Sequence, residues 1–502
     1  MTSSVLRRLS FVGWLRYFLF DRYYNTTLRV VLVSVCVGFT ILTAFLSSDL
    51  DINSPSSIVK SIILILLLLV LTMMLLMYRN MQGTALCAFF LSTLVNDGLS
   101  TGTGTKLTFT FLIIMLWLVV WLFKKVIVDR KFDLRPALPN RAILVFILVV
   151  IISYFWSGTF AETGARYLFD QKALVRLMTS IVLIVSPLTY ILFSNSIRSK
   201  SAFQVFTWWF IGIGLVMGLM QLILGDVLPP LNSKGQFPTW VTVLALGQCL
   251  FNNELSWKIK LGLIVITGGW IYIALGLGFT WLSGWLPIVV VIFVLLMFYS
   301  RKLLTLLCLG IVVWALLNPN IINKTFGTEQ TESGNTRSVA WARVLDVVGK
   351  HFLFGAGPAG YQYYFLSYGY YDNGLGTADL SHNNYFDIIA QTGVTGFGLW
   401  IVMWLGQGVM VWKLLHKRID DPFLGALKYS LIACYPAILV SMMLGDWVTP
   451  FPYTQTLAGI DYTIWAWMLS GLTIALYYFT PSLQKSVEES VTLQVLSVSD
   501  AV

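Results

Sequence analysis

An all-α, polytopic membrane protein is the fold this sequence predicts, and three observations predict it. Of its 502 residues, 57% are hydrophobic and only 11% are charged, whereas a soluble domain carries about 25% charge. Apolar runs long enough to cross a hydrocarbon core of about 30 Å recur from one end of the chain to the other. The cations gather between alternate runs, which is the positive-inside pattern. About fourteen transmembrane helices are expected (roughly 12–14, because the third run is short), with one large outer loop that contains amphipathic helices.

The runs fall at 29–46, 59–77, 82–95, 107–123, 142–157, 179–194, 203–224, 238–252, 261–279, 285–300, 303–318, 396–412, 428–445 and 463–480. Three segments follow: eleven helices in 1–318, a polar loop in 319–395, and three helices with a tail in 396–502. With the N-terminus in the cytoplasm, the inner loops hold Arg79, then Lys124, Lys125, Arg130, Lys131, Arg135 and Arg141. Further along they hold Arg198 and Lys200, Lys258 and Lys260, Arg301 and Lys302, and Lys413, Lys417 and Arg418. Both termini then lie inside and the 319–395 loop lies outside. Two other outer loops carry cations, Arg166, Lys172 and Arg176 in 158–178 and Lys234 in 225–237. This distribution accounts for the net charge of +10 without a nucleic-acid partner. No ionisable residue stands near the centre of any run, which argues against a proton-coupled machine, since those keep intramembrane charges. The five cysteines all fall in or beside apolar runs, a placement that suits packing and suggests no disulfide framework.

The outer loop concentrates the candidate chemistry, and a connection that long is uncommon unless it is functional. Residues 337–350 read as an amphipathic helix, with Trp341, Val344, Leu345 and Val348 on one face. Asn335 or Thr336 suits its N-cap. Arg337 then falls in the first turn, where the helix dipole disfavours a cation by about 0.3–1 kcal/mol, so a phosphate partner would suit it. Arg343 also suits an i, i+3 pair with Asp346. The stretch from Gly355 to Gly360 matches G-x-G-x-x-G, but no βαβ unit surrounds it and Pro358 interrupts it, so it reads as the turn that ends the helix. Six tyrosines from Tyr361 to Tyr371 suit the membrane–water interface, where amphipathic rings collect, or stacking on sugars. Of three histidines, His351 reads as a C-terminal cap and His416 as a solvated charge, which leaves His382. Flanked by Ser381, Asn383 and Asn384, it carries a group that titrates near pH 6.5 in water and suits proton abstraction.

The run from Ser333 to Trp400 resembles the O-antigen ligase and O-antigen polymerase family of membrane glycosyltransferases. The matching pieces are Ser333-Gly334 with Arg337, Trp341 and its helix, His351 to Gly357, and Ser381-His382-Asn383-Asn384-Tyr385 leading to Gly393-Val394-Thr395-Gly396. The resemblance implies an inverting transferase that needs no cofactor or metal. It would take a glycan from a polyprenyl-diphosphate-linked donor at the outer side of a bacterial inner membrane and pass it to a lipid or glycan hydroxyl. His382 would be the general base and Arg337 would bind the diphosphate. Arg343, Arg166, Arg176, Asn383 and Tyr385 are the further candidates for binding substrate. One element departs from the family: where it often has Thr-x-Ser-Arg, this chain has Thr280-Trp281-Leu282-Ser283-Gly284-Trp285 and no arginine. Two rival readings are a polysaccharide flippase, which fourteen spans would suit, and a metal-dependent transferase using Asp49 and Asp51.

Overall fold

A computed structural model describes residue 74 and residues 77–95, 98–100, 106–131, 133–224, 235–278, 282–319, 335–370, 381–451 and 456–479. The first two expected spans (apart from residues 74 and 77), Asp49 and Asp51, Lys234, Thr280-Trp281, Ser333-Gly334, Tyr371 and the side chains of Asn335 and Thr336 lie outside the described residues. The fold is helical, as expected. Helix α1 (Met81–Leu94) leads into a small antiparallel hairpin, β1 (Gly98–Ser100) with β2 (Lys106–Thr108). There follow α2 (Phe109–Phe123, extended by a π-helical turn at Lys124–Val128), α3 (Leu138–Thr159), α4 (Thr163–Gln171), α5 (Ala173–Ser196) and α6 (Lys200–Leu224). Then come α7 (Phe237–Phe251), α8 (Trp257–Ile271, extended as a π-helix at Tyr272–Leu277), α9 (Leu282–Tyr299) and α10 (Arg301–Leu317). The last group is α11 (Asn335–Lys350), α12 (Tyr361–Ser367), α13 (Asn384–His416), α14 (Pro422–Leu444) and α15 (Ile460–Tyr478).

Among the described residues, eight helices are long and apolar enough to cross a membrane: α2, α3, α5, α6, α8, α9, α13 and α14. Helices α1 and α7 are apolar but have only 14 and 15 residues, or about 21–23 Å at 1.5 Å per residue, short of a full hydrocarbon core. Helices α10 and α15 stand where spans were expected, though they are not among the eight.

The chain divides into two compact units, Met1–Thr84 with Met115–Leu134 and Ala85–Ile114 with Arg135–Val502. In the first, Lys125 and Asp129 pair at 3.2 Å along the π-helical end of α2. The second holds His382 and all the candidate arginines. There α15 packs on α5, α3 on α13, and α7 on α14. Trp400 and Trp404 of α13 meet Trp467 of α15 with ring centroids 5.7 and 5.4 Å apart.

A polar cap made of α4, α11, α12 and the start of α13 has its own core. The expected amphipathic helix forms as α11, but its buried face is Ala340, Val344, Val347 and Val348; Leu345 is 53% exposed and Trp341 half-buried. Val344, Val347 and Val348 join Ala165 and Phe169 of α4 and Tyr361, Tyr363, Tyr364 and Phe365 of α12 in one cluster. Three of the tyrosines expected at the interface are thus the core of the cap. Phe169 meets Tyr363 and Tyr364 edge-on at 5.0 and 5.5 Å. Burying one such side chain stabilises by about 1.5–3 kcal/mol, which explains why so short a helix as α12 stays folded.

The glycine-rich turn clamps this cap to α13. Helix α13 kinks at Gly393 (φ +66°, ψ −169°), and the kink frees amides that the turn engages. Val394 donates to Phe352 O at 2.9 Å and Thr395 to Leu353 O at 3.3 Å. Ala390 O accepts from Ala356 N at 2.8 Å. From α3, the Ser153 hydroxyl lies 2.7 Å from Phe354 O and 2.8 Å from Gln391 O. A Cβ on Gly393 would stand 2.5 Å from Gly355 N, and one on Gly355 (φ +67°) 2.6 Å from Gly393 N, so both positions need glycine.

Candidate active site

The Ser381-His382-Asn383-Asn384 segment gives each residue a separate task. Ser381 O accepts from the Trp341 indole of α11 at 2.8 Å, and Trp341 stacks on Phe386 with centroids 4.9 Å apart and planes 5° apart. Asn383 is the N-cap of α13, its side chain accepting from Tyr385 N at 3.0 Å, a contact typically worth about 1 kcal/mol. Asn384 is a clamp: its amide donates to Thr449 O at 2.7 Å, and its Oδ1 accepts from Val448 N at 3.1 Å and Thr449 N at 3.3 Å. Trp467 of α15 donates to Val448 O at 2.8 Å. The loop after α14 is thereby fixed to the first turn of α13.

Between these anchors His382 is exposed and left-handed, with φ +47°. A side-chain-bearing residue in that region is uncommon and persists where its surroundings over-determine it, often at functional sites. The anchors on both sides supply that determination here and leave the imidazole outward.

The fixed loop carries Asp446, which is 3% exposed. Burial pushes its carboxyl up from the ordinary carboxylate range, while a hydrogen bond from Asp387 and the charges of His382 and Arg337 pull it back. Arg337, in the first turn of α11, and His382, before α13, therefore act on one carboxylate that comes from a third element. Asp387, 4% exposed, is also held by the Ser381 hydroxyl. Neither Asp446 nor Asp387 belongs to a recognisable sequence motif. The signal the sequence does carry is the stretch 445–462, with two carboxylates, Asp446 and Asp461, and no lysine or arginine.

The other arginines sit apart from that carboxylate. Arg176, expected in a loop, is buried in the first turn of α5. It donates to Tyr154 O at 2.6 Å and Ser157 Oγ at 2.8 Å, and its guanidinium lies 4.8 and 4.6 Å from the Tyr154 and Phe169 rings. Arg343 lies over Phe365 and Tyr370 at 5.5 and 5.7 Å, while Asp346 meets Lys350 at 2.9 Å and the Tyr370 hydroxyl. Arg166 is exposed on α4. Tyr385, half-buried, donates to Leu439 O at 3.2 Å. His351 does not act as a simple cap: its ring packs on Tyr364 at 4.1 Å and its Nε2 lies 3.3 Å from the Tyr368 hydroxyl and 3.4 Å from Glu162. His416 ends α13 with Nδ1 2.8 Å from Trp412 O.

The fold defines a class, a multi-pass helical membrane protein with a polar cap, and in it an imidazole and a guanidinium bear electrostatically on a buried carboxyl. Residues 263–401 match the family model described as O-Antigen ligase. That match takes in α11, α12 and the Ser-His-Asn-Asn-Tyr element but not α4, and it supports the resemblance to the O-antigen ligase and polymerase family and a role in membrane glycan transfer. No curated protein matches the chain.

Proposed function

We propose that this protein transfers a glycan from a polyprenyl diphosphate donor to an acceptor hydroxyl in surface polysaccharide assembly, as a ligase or polymerase. The observation that carries this reading is the family-model match over residues 263–401, which takes in both Arg337 and His382; the two also bear electrostatically on one buried carboxyl, Asp446. His382 removes the proton of the acceptor hydroxyl as its oxygen attacks the anomeric carbon. The bond from that carbon to the diphosphate oxygen breaks, and the configuration inverts. Arg337 meets the charge on the departing diphosphate through charge-assisted hydrogen bonds. The charge of Asp446 offsets that of the imidazolium. A general base of this kind is worth roughly 10²–10⁴-fold in rate.

In this reading the site faces the periplasm of a bacterial inner membrane, about fourteen spans cross the bilayer, and both termini are cytoplasmic. Arg166, exposed on α4, is the guanidinium open to a second phosphate. Arg176 and Arg343, set against aromatic rings, shape the cap, and Asn383 and Tyr385 hold α13. The test is His382→Ala in cells or membranes that make the polysaccharide: product disappears while protein level holds. Product at the wild-type rate would make His382 structural and end the proposal.

A further inference from the structure

Four polar side chains converge inside the helical bundle, away from the cap. Tyr190 of α5, Trp404 and Gln407 of α13 and Ser470 of α15 line one cavity, with Met403 and Trp467 beside them and α3 closing one side. Each of the four is no more than 4% exposed. The Tyr190 hydroxyl, the Trp404 indole nitrogen, Gln407 Oε1 and Ser470 Oγ are sealed from solvent, and none has a hydrogen-bond partner among the described residues. The Gln407 amide is fixed by its other end, where Nε2 donates to Ser470 O at 3.2 Å. Buried indoles and hydroxyls are normally paired. Elsewhere in this bundle Trp467 donates to Val448 O at 2.8 Å, Trp465 to Ser92 Oγ at 2.9 Å and Trp270 to Gly214 O at 2.9 Å. Within a bilayer the hydrocarbon offers no such partner. The cavity leaves about 10 Å³ for the centre of a water molecule, and one water needs about 10–15 Å³ for its whole sphere, with two to four polar partners.

We propose that this cavity is a binding site for one water, which ties α5, α13 and α15 together within the bilayer. The donors and acceptors suit that ligand. An indole N–H can only donate and an amide oxygen can only accept, so the occupant must do both. A hard metal cation takes oxygen acceptors and has no use for an N–H, and an apolar chain would leave all four groups unpaired. Water accepts from Trp404, donates to Gln407 Oε1, and meets the two hydroxyls with its remaining proton and lone pair. Trp467, on the cavity wall, also holds Val448, two residues after Asp446. The site thus braces the helices that carry that loop. It stands apart from the proposed transfer and does not rest on it.

Radiolytic footprinting of the full-length protein in detergent tests the site. A brief X-ray pulse makes hydroxyl radicals from waters where they sit, so a buried side chain is oxidised when a bound water touches it, and mass spectrometry reads the oxidation residue by residue. Met403, Trp404 and Tyr190 are expected to be oxidised well above Met442 and Trp465, which are as deeply buried and do not line the cavity. Gln407→Leu replaces the amide oxygen with a methyl group, so the three labels fall to the level of those two controls. Should that variant not accumulate, Ser470→Ala removes one hydroxyl partner and lowers the same labels while the controls stay as they are. Wild-type oxidation of Met403, Trp404 and Tyr190 no greater than that of Met442 and Trp465 overturns the proposal, because the cavity is then dry. So does undiminished labelling in Gln407→Leu or Ser470→Ala, since the radicals would then come from a water these groups do not hold.

Discussion

Replacing Gly393 by alanine should unclamp the cap from α13. Glycine there has φ +66° and ψ −169°, and a residue with a Cβ in so sparse a region costs about 1–3 kcal/mol. The added methyl carbon would stand 2.5 Å from Leu353 C, Leu353 O and Gly355 N. These are backbone atoms and cannot swing aside, so the turn must move. Moving it opens the bonds from Val394 to Phe352 and from Thr395 to Leu353, at about 1–3 kcal/mol for each group left unsatisfied. The sum, roughly 3–9 kcal/mol, is comparable with the 5–15 kcal/mol that holds a whole domain together. The full-length variant in detergent should therefore melt lower, be cut by protease in the 351–360 turn, and form little or no product. Gly398→Ala, five residues along the same helix with nothing within 4 Å of its Cβ, is the control and should match wild type. Wild-type melting, proteolysis and product in Gly393→Ala would refute the clamp.

Three further outcomes are expected. Arg337→Lys keeps the charge but loses the planar fork, so turnover should fall about tenfold or more, the scale of one charge-assisted hydrogen bond; unchanged kinetics would move diphosphate binding elsewhere. Asp446→Asn should lower turnover yet raise the melting temperature near neutral pH. The folded-state carboxyl is pushed up, so it holds a proton that the unfolded chain releases above about pH 4; its penalty is absent below that pH and grows above it. The melting advantage of Asp446→Asn should thus vanish near pH 4, and an advantage that grows on acidification would contradict the assignment. His351 runs the other way. Burial pulls its imidazole down, opposed by Glu162 and aided by Lys350, so the unfolded chain binds the proton first as pH falls below about 6.5. Wild type should lose cap stability on acidification through that range, measured by amide exchange in 335–370, and His351→Gln should lose less.

Much of this architecture was legible because apolar length and cation spacing are one-dimensional signals. The helix at 335–350 and the turn at the glycines are both local patterns. The number of spans was less legible, because hydropathy cannot tell a 14-residue buried helix such as α1 from a full crossing. The buried face of α11 lies towards Val347 because the helix packs on α12 and α13, with α4, nearly two hundred residues earlier, completing the same cluster. The tyrosines of α12 read as interfacial because ring chemistry is the same whether a ring faces lipid headgroups or Phe169. Arg176 was placed in a loop because a charge beside an apolar run looks like a boundary, whereas two aromatic faces and two oxygen acceptors bury it. Asp387 and Asp446 escaped notice for a related reason. They are buried beside the segment that bears His382 only because Ser381 and Asn384 are held there by the fold, and no spacing in the chain records that.

Chemical rescue of His382 tests the central claim most directly. Membranes bearing His382→Ala should make no polymer or ligated product, and added imidazole should restore part of it, more at pH 8 than at pH 6, where the free base is scarce. Wild-type amounts of product from His382→Ala without imidazole would contradict the account.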